Sequence, residues 1–178
     1  MIPQVLQNPQ NQHAHQVVLN AARTWSNVLP KKVAKQAILF GDVVLTQIVE
    51  GHCPLALKPT IFKYRISLSD LNRQYYDSLN LTLAQHPSET TERMMVRVLA
   101  YCLNVRDNLE FCKGVSNPEE ADLWARDLND NIELWIDVGE PAVDRIKKAT
   151  RLAKELKVYS FNNKSDTWWL QGQALFKQ

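Results

Sequence analysis

Four acidic residues, Glu92, Glu120, Asp122 and Asp137, are the side chains in this sequence best spaced for chemistry. Glu120 and Asp122 are two apart, so in an extended chain both carboxylates point to one side. Asp137 sits near the end of an alternating run, beside Gly139. Carboxylates from two adjacent strands and one helix start are what a Mg²⁺ site needs: hard oxygen ligands, with waters completing an octahedron. The plainer reading is that Asp137 ends a strand and Asp122 caps a turn. Glu92 is ambiguous in the same way. At 100° per residue, Met95, Val96, Leu99, Cys102 and Leu103 form one helical stripe centred within roughly 20° of it. A carboxylate on that face needs a cation, a hydrogen-bond cluster or a metal. Alternatively it lies at the core's edge near the helix start, where the macrodipole favours negative charge. Arg93 and Arg97 fall on the opposite, solvent side, and Glu89 is placed for an i,i+4 pair with Arg93.

The second chemical feature is basic. Arg145, Lys147, Lys148, Arg151, Lys154 and Lys157 crowd one segment against a single acid, Glu155. Read as one helix, the segment puts Arg145 and Lys148 beside its apolar stripe and Lys147, Arg151 and Lys154 toward solvent. It is either an ordinary charged face or a ridge of phosphate contacts one turn beyond Asp137. Trp168 and Trp169 could stack on bases, or simply pack one inward and one half-exposed. His13 and His15 lie in a polar tail, where such a pair rarely binds metal. The sequence holds no Gly-rich phosphate loop, Cys/His zinc spacing or Ser-His-Asp set.

The elements that must position these residues follow from periodicity. Residues 1–16 are rich in Gln, Asn and Pro and read as disordered. Residues 17–29 and 31–50 read as two helices broken at Pro30, with a linker from Gly51 to Pro54. From Thr60 to Leu68 the chain alternates, with Phe62, Tyr64, Ile66 and Leu68 on one face. Leu79, Leu81 and Leu83 repeat that period and predict an antiparallel hairpin with a long loop. A helix spans Ser88–Leu103, and a short strand spans Leu109–Lys113. Ala121–Trp124 is a short element leading to a turn at 127–130. Ile132–Val138 is the best strand in the chain. A helix then runs from Pro141 to about Leu156, burying Val143, Ile146, Ala149, Leu152, Ala153 and Leu156. A strand at Val158–Phe161 and a helix opening at Asp166 complete an α/β or α+β order.

Composition narrows the function classes. The 178 residues suffice for one domain with an appendage, and 45% apolar with 22% charged content is ordinary for a globular protein. The net charge is +2; residues 1–54 carry four basic and two acidic residues, leaving 17 of each beyond. Any polyanion site is therefore a local patch. Cys53, Cys102 and Cys112 form no paired framework and suit a reducing compartment. No basic n-region precedes an apolar core, and the run Val33–Val49 is interrupted by Lys35, Gln36, Asp42 and Gln47. A cytoplasmic, non-membrane protein is expected.

Several motifs carry a specific likeness. LTLAQHPSETTERMMVRVLAY at 81–101, EADLW at 120–124, IELWIDVG at 132–139, RIKKA at 145–149 and Trp168-Trp169 closely resemble the YaeQ family of bacterial proteins. The likeness begins near Leu55 and runs to Gln178, leaving residues 1–54 foreign to it and 55–178 as the family-like domain. It implies a divergent, compact PD-(D/E)XK nuclease-like fold, restriction-endonuclease-like, with a central mixed sheet flanked by helices. It also implies that 1–54 could be translated upstream sequence, and that the chain stops before the family's carboxy-terminal segment.

In the wider superfamily an acid on one strand and a D/E-x-K on the next bind Mg²⁺, often joined by a helix Glu. Here Asp122 matches the first acid, Asp137 the second and Glu92 the helix acid, with Glu120 in reserve. Ala121 stands where the motif proline is expected, Asp137 where the family usually has Glu, and Gly139 where the superfamily has lysine. Lys148 or Arg145 could supply that cation from the next helix. The expectation is a Mg²⁺-dependent phosphodiesterase acting on nucleic acid, with Arg145, Lys147, Lys148 and Arg151 as phosphate contacts. The alternative is a non-catalytic binding or regulatory module on the same fold, which the missing lysine favours.

Overall fold

Strict alternation shapes the first sheet. In the computed structural model, which describes residues 36–40, 43–51, 59–113, 117 and 119–176, β3 (Thr60–Asp70) pairs antiparallel with β4 (Tyr75–Gln85). Tyr64, Ile66 and Leu68 from one strand and Leu79, Leu81 and Leu83 from the other are buried, and Ile66 stands opposite Leu79. The expected long loop is a tight turn over 71–74, because the polar stretch after Leu68 continues the ladder to Asp70. Gln74 takes a left-handed φ of 53° there. The Asp70 carboxylate accepts the Arg73 amide at 3.0 Å and pairs with its guanidinium. Burial pushes the Asp70 carboxyl up, but these bonds outweigh it and hold the group below its usual range.

The expected helix over 31–50 is corrected. Gln36–Phe40 is strand β1 and Val43–Gly51 is strand β2, giving an antiparallel sheet ordered β1-β2-β3-β4. Only Gly41 and Asp42 lie between the paired Phe40 and Val43, the length and residue type of a two-residue hairpin connection. Val43, Val44, Thr46, Ile48 and Val49 are β-branched and fit a pleated surface. The expected helix at 17–29, the polar tail with His13 and His15, and Cys53 lie outside the described residues.

Helix α1 (Thr91–Leu103) is buried at every residue from Met94 to Ala100. The expected pair forms, with Arg93 donating to Glu89 at 2.8 Å, although Glu89 is buried rather than exposed. Arg97 is also buried, against the expected solvent position. Its guanidinium donates to the Cys112 carbonyl at 3.0 Å and lies over the Phe111 ring, so strand β5 (Leu109–Phe111) and the residue after it, rather than water, cover that side. The chain divides into two compact units within α1, one built on residues 20–95 and one on 96–178.

The second unit holds a mixed sheet ordered β5-β6-β7-β8, from Leu109–Phe111, Leu123–Arg126, Ile132–Val138 and Ala153–Tyr159. The first three strands run antiparallel, and β7 and β8 run parallel. Where one central sheet is expected, the described residues thus form two sheets of four strands each. Helix α2 (Val143–Leu152) makes the crossover that parallel strands require. It ends sooner than expected, and Ala153 is already extended with φ −114° and ψ 148°. Lys154 and Lys157 therefore belong to β8, and Leu152 is half exposed. Trp135, Ala149, Leu156 and Ala121 form the core beneath α2, with Ile146 and Val158 against it. Helix α3 spans Ser165–Phe176.

Candidate functional site

Two buried carboxylates converge on one arginine. β6 and β7 pair with Leu123 opposite Ile136. Asp122 directly precedes β6 and Asp137 lies on β7, and both charges act on Arg145. The Asp122 amide donates to the Ile136 carbonyl at 3.0 Å, and the Val138 amide donates to Asp122 Oδ2 at 2.7 Å. Asp122 is 2% exposed and Asp137 1%. Both are therefore removed from water and need partners.

Asp137 finds its partner on α2. Alternation puts Trp135 and Asp137 on one face of β7, and the first turn of α2 places Arg145 over that face. Arg145 Nε and Nη2 donate to Asp137 Oδ2 and Oδ1, each at 2.8 Å. Nη2 also donates to the Glu120 carbonyl at 2.6 Å, and the guanidinium lies 5.8 Å from the centre of the Trp135 ring. The bonds to Asp137 hold the Arg145 guanidinium above its already high pKa, outweighing burial. Such a two-pronged fork is the strong form of a charge-assisted hydrogen bond.

The remaining predicted residues separate. The Glu120 carboxylate accepts Asn117 Nδ2 at 2.7 Å and lies 3.9 Å from Lys113 Nζ. Lys148 pairs with Glu119, both side chains being well exposed, and this contact holds the Glu119 carboxyl below its usual range. Lys147 and Arg151 are exposed. Lys154, on β8, lies 3.2 Å from Glu133 and 3.8 Å from Asp127. Glu92 is half-buried in the first turn of α1 and belongs to the other unit. Trp168 and Trp169 are both half-buried, and Trp168 Nε1 donates to the Pro141 carbonyl at 3.0 Å.

Among the described residues no group of three or more His, Cys, Asp or Glu side chains is placed to hold a metal ion. Both oxygens of Asp137 accept from Arg145, and one oxygen of Asp122 accepts from Val138. As arranged, these donors do not fit a resident Mg²⁺, which would first have to displace the guanidinium. Gly139 has φ +104°, a conformation that L side chains rarely adopt. A Cβ there would meet Phe161 only at 4.0 Å, so the constraint is the backbone and not the space. Cys112 is no substitute nucleophile. Burial first, then the charges of Glu110, Glu120 and Asp122, push its thiol up to about 12, which keeps it protonated at neutral pH.

Sequence reasoning missed one polar cluster. Glu140, just past β7, accepts from Ser160 and Asn162, which follow β8, and from Ser165 at 3.2 Å. It fastens the start of α3 to the carboxyl ends of the two parallel strands. The only signal in the sequence is an acid two residues past a strand and directly before a proline.

A mixed α/β protein, whose helical crossover folds an arginine onto a buried strand carboxylate, is the class these elements define. The chain belongs to the YaeQ protein family, which matches residues 55–178. It is 40% identical over 121 residues to the uncharacterized protein YaeQ of Escherichia coli (strain K12), a match covering 67% of each chain. It is also similar to the crystal structure of YaeQ protein from Xanthomonas axonopodis pv. citri, with 45% identity and a TM-score of 0.59 over 61% of this chain and 62% of that one. The Pseudomonas syringae YaeQ structure gives 37% identity and a TM-score of 0.54 over 56% of this chain and 55% of that one. The match therefore spans less than two thirds of either solved relative. Among the described residues no helix is long and apolar enough to cross a membrane.

Proposed function

We propose that this chain is a non-catalytic binding or regulatory module on a PD-(D/E)XK-like fold. The order α1, antiparallel β5-β6-β7, α2 and parallel β8, with one acid directly before β6 and another near the end of β7, supports that ancestry. One observation carries the non-catalytic reading: Arg145 grips both oxygens of Asp137. A resident guanidinium neutralises the carboxylate that a metal would need, and the left-handed backbone at Gly139 disfavours a lysine there. The partner chemistry this reading favours is polyanionic, nucleic acid above all, met by the exposed Lys147 and Arg151.

A metal-dependent phosphodiesterase is the second reading, favoured by two buried carboxylates, Asp122 and Asp137, that both act on Arg145. In that case a divalent ion displaces Arg145 from Asp137. Calorimetric titration with Mg²⁺ and Mn²⁺ separates the two. The first reading expects no binding heat from wild type or from Asp137→Ala. Saturable binding by wild type that Asp137→Ala abolishes would establish the second reading instead.

A further inference from the structure

Charge on the first sheet is arranged differently from charge elsewhere. Most basic side chains of the described residues lie against an acid, among them Arg73, Arg93, Arg106, Arg126, Arg145 and Lys148. Lys63 and Arg65, two apart on β3, pair with no described acid; Arg65 keeps only the bond from its Nε to Asn80 Oδ1 at 3.4 Å. Both are exposed and point away from the buried row of Tyr64, Ile66 and Leu68. Period two puts Thr82, Asn80 and Tyr76 of β4 on the same outward face, opposite Lys63, Arg65 and Ser69, with a serine on each strand between. No outward position of β3 or β4 carries a carboxylate. Register sets Glu50 of β2 opposite Lys63, which still leaves the face with a net positive charge. At the far end Tyr76 is 62% exposed.

We propose that this outward face of β3 and β4 binds single-stranded nucleic acid. Lysine, arginine, serine, threonine and asparagine are the side chains that meet phosphate and sugar oxygens, and an open tyrosine ring offers its face to a base. The unpaired cations select a polyanion, and Tyr76 selects one that carries planar groups, which an acidic peptide does not supply. A duplex would keep its bases stacked and away from Tyr76, so the single strand is the form that fits. Ser69, opposite Tyr76, lies four residues from Arg65, about 14 Å along the strand. An extended run of a few nucleotides therefore reaches from the phosphate contacts to the stacking position. The face belongs to the unit built on residues 20–95, whereas Lys147 and Arg151 belong to the other unit. The proposal thus goes beyond the binding role proposed for α2 and does not depend on it.

Fluorescence anisotropy of the intact chain tests the site, with fluorescein-labelled, mixed-sequence DNA and RNA strands of roughly 15 nucleotides at about 50 mM salt. Wild type should bind at least one of them. Lys63→Gln with Arg65→Gln should weaken binding at least about tenfold. It should also flatten the fall of log affinity with log salt by about 1.4, the share of two single-strand phosphate contacts. Tyr76→Ala should weaken binding about fivefold or more, and Tyr76→Phe should bind like wild type, since stacking needs the ring and not the hydroxyl. These positions are exposed, so melts followed by circular dichroism should match wild type. Absence of wild-type binding, or binding that neutralising Lys63 and Arg65 leaves unchanged, would overturn the proposal. A loss confined to Lys147→Ala with Arg151→Ala would overturn it while sparing the reading of α2. Tyr76→Ala without effect, or equal displacement of the strand by polyglutamate, would reduce the face to a general anion patch and overturn the nucleic-acid assignment.

Discussion

The β3–β4 and β6–β7 ladders both run antiparallel, and each has a buried carboxylate at an end. Asp70 finds its cation in its own turn, at Arg73, whereas Asp137 takes Arg145 from a helix. In the first, apolar residues face inward, while the outward positions carry residues such as Arg65, whose Nε donates to the opposite Asn80 at 3.4 Å. That face stays wet, so the polar side chains on it need no dedicated partner. β7 is different, because Leu134 to Val138 are buried without a break. A strand covered on both faces leaves no wet side for Asp137, and the neighbouring helix must supply a cation. The contrast shows where a charge becomes structural: not where acids cluster in sequence, but where both faces of a strand are covered. A buried ion pair is weak evidence for extra stability, since desolvation offsets much of the attraction. What the Arg145–Asp137 fork fixes is the seating of α2 on the sheet.

The largest expected effect breaks that fork. Asp137→Ala should cost about 3–5 kcal/mol in urea denaturation, because it leaves a mostly buried guanidinium without its charge. Adding Arg145→Ala should recover part of the loss, a coupling that a double-mutant cycle reads directly. A single-mutant cost no greater than that of a surface change would erase the distinction between the two ladders. Next comes Asp122→Ala, which strips the acceptor from the buried Val138 amide and should cost about 1–3 kcal/mol. Asp122→Asn keeps an acceptor oxygen and should cost clearly less. Equal losses would mean that charge, rather than hydrogen bonding, holds Asp122 in place.

The smallest effect is expected at the exposed pair of Lys148 and Glu119. Lys148→Ala should melt within error of wild type at 0.15 M salt, about the ionic strength at which surface charges are screened beyond ~8 Å. Any difference has a defined pH dependence. Lys148 lowers the Glu119 carboxyl in the folded state, so its contribution is present above the ordinary glutamate range. It is lost as pH falls through the lowered value. Melting curves of the two proteins from neutral to acid pH should converge; a gap that widens in acid would reverse the assignment.

What the sequence revealed depended on whether one side of an element stays wet. Tyr64, Ile66 and Leu68 announced their strand, because period-two alternation survives wherever one face meets solvent. Arg97 was misplaced because α1 is buried all round, and no periodicity within a helix reports what packs on its second side. The run 31–50 reads as helix because long apolar runs fit either period; the Gly41-Asp42 pair is the hairpin signal to weigh against it. Lys154 and Lys157 were assigned to α2 because nothing at Leu152-Ala153 resembles a helix stop. Asp122 and Asp137 were legible as acids near strand ends. Their partners were not, since the meeting of Arg145 and Asp137 depends on a crossover whose length and phase are tertiary properties.

The junction between α2 and β8 makes that phase unusually exacting. The helix passes into the strand with no loop between Leu152 and Ala153, and the Ala153 amide still donates to the Ala149 carbonyl. Nothing there can absorb a change in chain length. Inserting a single residue inside α2 would turn the parts of the helix on either side of it by 100° relative to one another. The same slip, passed into β8, would exchange its inner and outer faces. The spacing from Arg145 to Leu156 therefore acts as a ruler, and this stretch should refuse the insertions and deletions that surface connections elsewhere tolerate.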